Sequence, residues 1–118
     1  MITNNNDESK EIQNRIYRAN RAYYGLLPIL KSKSIFRKVK IRLYKTCIRP
    51  IVVYGSETWT MTKKFENLIN TFERKILRRI YGPVNENGKW RMRYNKEIYD
   101  LYKEPELSTL VKFRRLQW

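Results

Sequence analysis

The residues best placed to do chemistry form one basic series in the middle of the chain. They recur at helical spacings, and they are Lys38, Arg42, Lys45 and Arg49. On an α-helix these spacings put all four cations on one face. No Asp or Glu occurs between residues 15 and 56, so nothing along the segment offsets this charge. The series predicts a phosphate-binding helix face. A merely solvated face is the alternative, although solvated faces usually mix both signs.

Four further basic residues would widen this positive surface. Arg15 and Arg18 precede the series, and Lys31 and Lys33 lie in the link before it. If each cation of the series itself neutralises one phosphate, the logarithm of the binding constant should fall against the logarithm of the salt concentration with a slope of about −3.6.

The composition argues against a catalytic or metal site. The 118 residues include 26 Lys or Arg against 11 Asp or Glu, with no His and one Cys, which leaves a net charge of +15. A chain without His cannot build a His-based triad, and with Cys47 as its only thiol it cannot form a zinc finger. The acids are scattered, and only Asp7 and Glu8 are adjacent. We therefore predict no catalytic residue, no metal ligand and no cofactor in this chain.

The apolar runs and the charge of the chain limit which partner and which cellular compartment are expected. The longest apolar run covers residues 51–54, far below the roughly 20 residues of a membrane span, and the first residues are polar. An intracellular protein is expected, with the nucleus as one candidate compartment. Nucleic acid is the expected partner of so basic a chain, and an anionic membrane surface or an acidic protein is the rival.

A first helix should precede the basic series. Its predicted apolar stripe is Ile12, Ile16, Ala19, Tyr23 and Leu26. Asp7 or Ser9 could cap its start, and Gly25 and Pro28 should end it.

The second helix carries the basic series. Its predicted apolar stripe is Phe36, Val39, Leu43, Cys47 and Ile51, widened by Ile35, Ile48 and Val52. Ser34 is the predicted N-cap, and Gly55 ends the segment. Pro50 should kink or interrupt the helix because it lacks a backbone donor.

The third helix has the clearest signals. Its predicted stripe is Phe65, Leu68 or Ile69, Phe72, Ile76 and Ile80. Thr62 is the predicted cap, and Gly82 with Pro83 should stop the helix.

The last third of the chain predicts a turn and two shorter helices. Residues 85–88 read as a turn, and a helix around Asn95–Tyr102 would bury Ile98, Leu101 and Tyr102. Pro105 should open a final helix that runs to Trp118. The whole pattern predicts an all-α fold of about five helices, a small bundle with a basic face.

Several aromatic residues could either pack in the core or stack on bases. Trp59 lies between the second and third helices, and Glu57 beside it could pair with a nearby Arg. We favour the core for Trp59 and for Tyr94, Tyr99 and Tyr102, with base stacking as the functional alternative.

An ordered series of motifs resembles a known family. They are NRAYYG within residues 11–27, IRLYKT at 41–46, IRP at 48–50, YGSETW at 54–59, FERKILR at 72–78 and a last stretch at 104–118. The series resembles the region after the catalytic palm in reverse transcriptases of LINE-type (non-LTR) retrotransposons. The resemblance covers essentially the whole chain.

The resemblance implies a fragment of a larger polymerase. Residues 1–82 would form a helical thumb, and residues 83–118 would begin a C-terminal helical extension. Such a thumb grips the template–primer duplex through sequence-independent phosphate contacts. The nucleic acid that it binds would be an RNA–DNA hybrid, DNA or RNA. The metal-binding Asp residues of the family, which hold its Mg²⁺, belong to the palm, and palm and fingers are both expected to be missing partners of this chain, so the chain alone is expected to be inactive. A stand-alone basic module and a decayed element are the alternatives.

Overall fold

A computed structural model describes residues 5–54 and 62–117, with side chains for residues 9–54 and 62–114. In chain order the elements are α1 (Asn5–Lys31), α2 (Arg37–Leu43), a π-helical turn (Tyr44–Ile48), α3 (Arg49–Val53), α4 (Lys63–Tyr81), β1 (Val84–Glu86), β2 (Lys89–Arg91), α5 (Asn95–Tyr102) and α6 (Leu107–Gln117). The π-helical turn joins α2 and α3 into one continuous segment. The described residues therefore contain five helical segments, which confirms the predicted fold class, and one short hairpin is added.

Helix α1 is longer than its sequence signals predict. It runs through Gly25 and Pro28 and ends at Lys31, so the predicted stop is wrong. The buried side chain of Leu30 lies in this last stretch, and its packing favours continuing the helix past the proline. Asp7 and Ser9 lie inside the helix, so neither is its cap.

The face that the second helical segment buries differs from the predicted one. The buried side chains recur every four residues, and they are Lys40, Tyr44, Ile48 and Val52. Phe36, predicted to be in the core, is 80% exposed, and Val39 and Cys47 are exposed as well. α1 packs on the π-helical turn and α3, and α4 packs on α2, so these two helices select the buried face. Ser34 is not the N-cap, because α2 begins at Arg37.

Pro50 accounts for the π-helical turn. The residue lies in the first turn of α3, where a missing backbone donor is tolerated, and the π-helical turn comes directly before it. The predicted interruption of the α-helix near Pro50 is confirmed. Gly55 lies outside the described residues.

Helix α4 matches its prediction and stands at the centre of the fold. The Oγ1 of Thr62 accepts a hydrogen bond from the backbone N of Phe65 at 3.3 Å, and Gly82 ends the helix with a φ of 74°. Ile69, rather than Leu68, is buried. The helix packs against α1, α2, α5 and α6, so all of these elements share one apolar core.

The predicted turn at residues 85–88 is the tip of a hairpin. Strands β1 and β2 pair antiparallel, with Val84 opposite Arg91. Asn87 and Gly88 have φ values of 55° and 83°, the left-handed pair that a tight type I′ turn requires.

The two C-terminal helices pack on α4, and α6 also contacts α3. α5 has the predicted bounds and buries Ile98 and Tyr102, whereas Leu101 is exposed. α6 begins at Leu107, two residues after the predicted start, and Trp118 lies outside the described residues. Within the described ranges, no helix is long and apolar enough to cross a membrane. The division of the chain after residue 82 stays a prediction.

Candidate nucleic-acid interface

Internal contacts occupy most of the acidic side chains. Among the acidic residues whose side chains are described, all except Asp100 have a hydrogen-bond or ion-pair partner within the fold. These acids are Glu11, Glu66, Glu73, Glu86, Glu97, Glu104 and Glu106. Because cations far outnumber acids in the sequence, the fold leaves a surplus of positive charge at its surface.

One acid divides the predicted basic series into two halves. Glu104 lies in the loop between α5 and α6 and pairs with both Lys45 and Arg49. The Nη1 of Arg49 donates to the Oε1 of Glu104 at 2.8 Å and to the hydroxyl of Tyr102 at 2.8 Å. Burial by itself raises the pKa of Glu104, but the hydrogen bonds from Lys45 and Arg49 outweigh it and leave the pKa lowered. The C-terminal half of the series therefore also holds the α5–α6 loop in place.

The N-terminal half of the series faces solvent. Lys38 and Arg42 lie one turn apart on α2, and neither cationic group has an ion-pair partner among the described residues. They border a groove of about 540 Å³ together with Arg37 and Lys45. The Nη2 of Arg37 donates to the backbone O of Tyr81 at 2.9 Å, which fixes this cation at the end of α4. No acidic residue lines this groove within the described chain.

The four flanking cations have different environments. The Nη1 of Arg15 donates to the backbone O of Ile51 at 3.0 Å and to that of Tyr54, so Arg15 closes the C-terminal end of α3. Arg18 is exposed on α1, and Lys31 and Lys33 are exposed at and just beyond its end. Arg15 thus has a structural role, whereas the other three are accessible to a ligand.

A second basic groove, which was not predicted from the sequence, lies between α1, α4 and the hairpin. It measures about 550 Å³, and the side chains around it include Tyr23, Tyr24, Lys75, Arg78, Arg79 and Met92. Arg78 and Arg79 lie three and four residues after Lys75 on α4, the two spacings that place helix side chains side by side, and this was the signal available in the sequence. The contribution of α1 and the hairpin could not be inferred from that signal, because it depends on tertiary packing.

The aromatic predictions are confirmed in part. Tyr102 is buried, and the half-buried Tyr99 donates its hydroxyl to the Oε1 of Glu73 at 2.6 Å. Tyr94 is exposed, with the guanidinium of Arg91 4.3 Å from the centre of its ring, so its assignment to the core is wrong. Residues 57 and 59 lie outside the described chain, so their predicted contacts are not tested.

Among the described side chains, no group of three or more His, Cys, Asp or Glu residues is placed to hold a metal ion.

Sequence comparison adds one relative to these observations. Over 82 residues the chain is 25% identical to an uncharacterized transposon-derived protein of Caenorhabditis elegans. The similarity indicates a transposon origin. The match covers 70% of this chain but only 29% of the relative, so the chain spans less than a third of the protein that it resembles. No protein-family profile matches the chain, and no solved structure matches it either.

Proposed function

We propose that this chain is the thumb region of a LINE-type retrotransposon reverse transcriptase, an RNA-directed DNA polymerase. The proposed role is to grip the template–primer duplex through its phosphates. The observation that carries the proposal is the solvent-facing pair Lys38 and Arg42 on α2, beside a groove without acidic lining. The transposon origin and the ordered motifs support the parent enzyme.

Phosphate contact suits the chemistry of this surface. Lys38 and Arg42 end in cationic groups that only donate hydrogen bonds, which matches the anionic phosphate oxygens. A polymerase must move along any sequence, so contacts with the backbone alone serve it well. RNA–DNA hybrids, DNA and RNA should therefore all compete for the same surface.

We further propose that the chain is inactive alone, and that the palm of the parent protein supplies the carboxylates that hold Mg²⁺. A primer-extension assay with Mg²⁺ tests this point. No incorporation is expected from the isolated chain, and incorporation by a chromatographically pure sample would contradict the proposal.

The binding proposal is tested with a fluorescent RNA–DNA hybrid across a salt series. The double variant Lys38→Gln/Arg42→Gln should reduce the magnitude of the salt slope by about 1.8, because each phosphate contact contributes about 0.9. The matched control is Lys63→Gln/Lys64→Gln, which removes the same charge from the first turn of α4. The control site lies about 27 Å along the helix from Tyr81, at a rise of roughly 1.5 Å per residue.

Equal slopes for the two double variants would contradict a specific role for the α2 face. Anionic lipid vesicles provide the second comparison. If they displace the hybrid as effectively as unlabelled duplex does, a membrane surface replaces nucleic acid as the proposed partner.

A further inference from the structure

The groove between α1, α4 and the hairpin differs in character from the α2 face. The rings that line the α2 groove, those of Tyr81 and Tyr102, are buried, whereas this groove has large apolar side chains open to solvent at its rim. Tyr24 on α1 is 60% exposed, and Met92, directly after β2, is 69% exposed. Trp90, two residues before Met92 on the hairpin, is 68% exposed.

Lys75 and Arg78 of this groove are held in place before any ligand arrives. The Nζ of Lys75 donates to the Oδ1 of Asn20 at 2.6 Å and lies 5.1 Å and 5.6 Å from the ring centres of Tyr23 and Tyr24. Arg78 donates from its Nε to the backbone O of Arg93 at 3.2 Å. Because these two cations are already positioned, they should lose little side-chain entropy on binding a ligand.

One cation of the groove, Arg79, is available to bind a ligand. Arg79 is exposed, and its guanidinium has no hydrogen-bond or ion-pair partner in the part of the chain that the structure describes. No acidic residue lines the groove in the same part of the chain. The site therefore fits an anionic ligand that also carries flat apolar surfaces.

We propose that this groove binds single-stranded nucleic acid, with one base stacked against Tyr24 and Met92 and the adjoining phosphates held by Lys75 and Arg79. Paired bases in a duplex cannot offer a face to a side chain, whereas an unpaired base can. An acidic peptide without aromatic residues would satisfy the cations but would leave the exposed ring of Tyr24 without a stacking partner. The proposal is independent of duplex binding on the α2 face.

The test compares a labelled single-stranded oligonucleotide with an abasic strand of equal length and charge. We expect the natural strand to bind on the order of tenfold more tightly, because stacking on one aromatic side chain gives about this difference. Tyr24→Ala should remove most of the preference. Tyr17→Ala is the matched control, because Tyr17 lies on the same helix, is 61% exposed and does not line the groove.

The charge contribution is tested separately with Arg79→Gln and its control Lys64→Gln on the same helix. Only Arg79→Gln should weaken single-strand binding, and neither should change the circular dichroism of the protein. Equal affinity for natural and abasic strands, or equal losses in Tyr24→Ala and Tyr17→Ala, would overturn the proposal. The Lys38→Gln/Arg42→Gln variant should lose duplex affinity but keep the preference for bases, which distinguishes this site from the α2 face.

Discussion

Two carboxylates join the C-terminal helices to the rest of the fold in opposite ways. Glu73 on α4 is fully buried and accepts hydrogen bonds from the Tyr44 hydroxyl at 2.5 Å, the Tyr99 hydroxyl at 2.6 Å and the backbone N of Leu107 at 3.1 Å. Glu104 lies near the surface and contacts two cations, Lys45 and Arg49. The first carboxylate is held by neutral donors, and the second is held by charges.

The contacts of Glu73 affect the stability of the fold, whereas those of Glu104 affect both stability and the charge available for binding. Glu73 uses none of the surface cations, so its contacts stabilise the bundle without altering its external charge. Glu104 stabilises a loop by neutralising part of the basic series that a polyanion would otherwise contact. Substitutions at the two positions should therefore have different effects on stability and on affinity.

The largest effect is expected from Glu73→Ala. Two buried donors, the Tyr44 hydroxyl and the backbone N of Leu107, would lose their acceptor at a cost of roughly 1–3 kcal/mol each, so the free energy of unfolding should fall by about 2–6 kcal/mol. Urea denaturation followed by circular dichroism measures the change. The control Glu86→Ala removes an exposed ion pair and should cost less than about 1 kcal/mol. Similar losses in both variants would show that the Glu73 contacts do not hold the bundle together.

Glu104→Gln should produce a smaller loss of stability together with a gain in binding. The loss should be about 1 kcal/mol, as for other partly exposed ion pairs. Duplex affinity at low salt should rise about fivefold, because a unit charge near a phosphate is worth roughly 1 kcal/mol in water. Anisotropy titration of the labelled hybrid measures this gain. An unchanged or lower affinity in a folded variant would mean that Lys45 and Arg49 do not contact the nucleic acid.

The smallest effect is a difference in pH dependence. Burial raises the pKa of Glu73, and the hydrogen bonds from Tyr44, Tyr99 and Leu107 offset this only in part. The folded state therefore holds this proton more tightly than the unfolded state does. The stabilising contribution of Glu73 relative to Gln should be complete below the ordinary pKa of 4.5 and should decline as the pH rises through the raised value.

Glu104 should show the reverse dependence. Its pKa is lowered, so its contribution is present above the ordinary value and is lost as the pH falls through the lowered one. Urea denaturation of the wild type, Glu73→Gln and Glu104→Gln at several pH values measures both differences. Parallel curves for the two variants would contradict the contrast between the buried and the surface carboxylate.

Local signals predicted some elements well and others poorly. α4 carries its own cap, apolar stripe and stop signal, so Thr62 and Gly82 mark its ends correctly. The segment from Arg37 to Val53 was predicted to bury Phe36, because the periodicity of apolar residues ignores Tyr44 and Lys40. Two neighbouring helices cover the face that carries Tyr44, and no local signal reports that arrangement.

The sequence by itself determined the helical class, the central helix α4 and the concentration of positive charge between residues 15 and 56. Only the tertiary structure decided which cations remain accessible. Arg49 is bound by a carboxylate 55 residues further along the chain, and the second basic groove needs α1, α4 and the hairpin together. The physical reason is that Coulomb attraction and burial depend on distance in space, whereas a sequence pattern reports only distance along the chain.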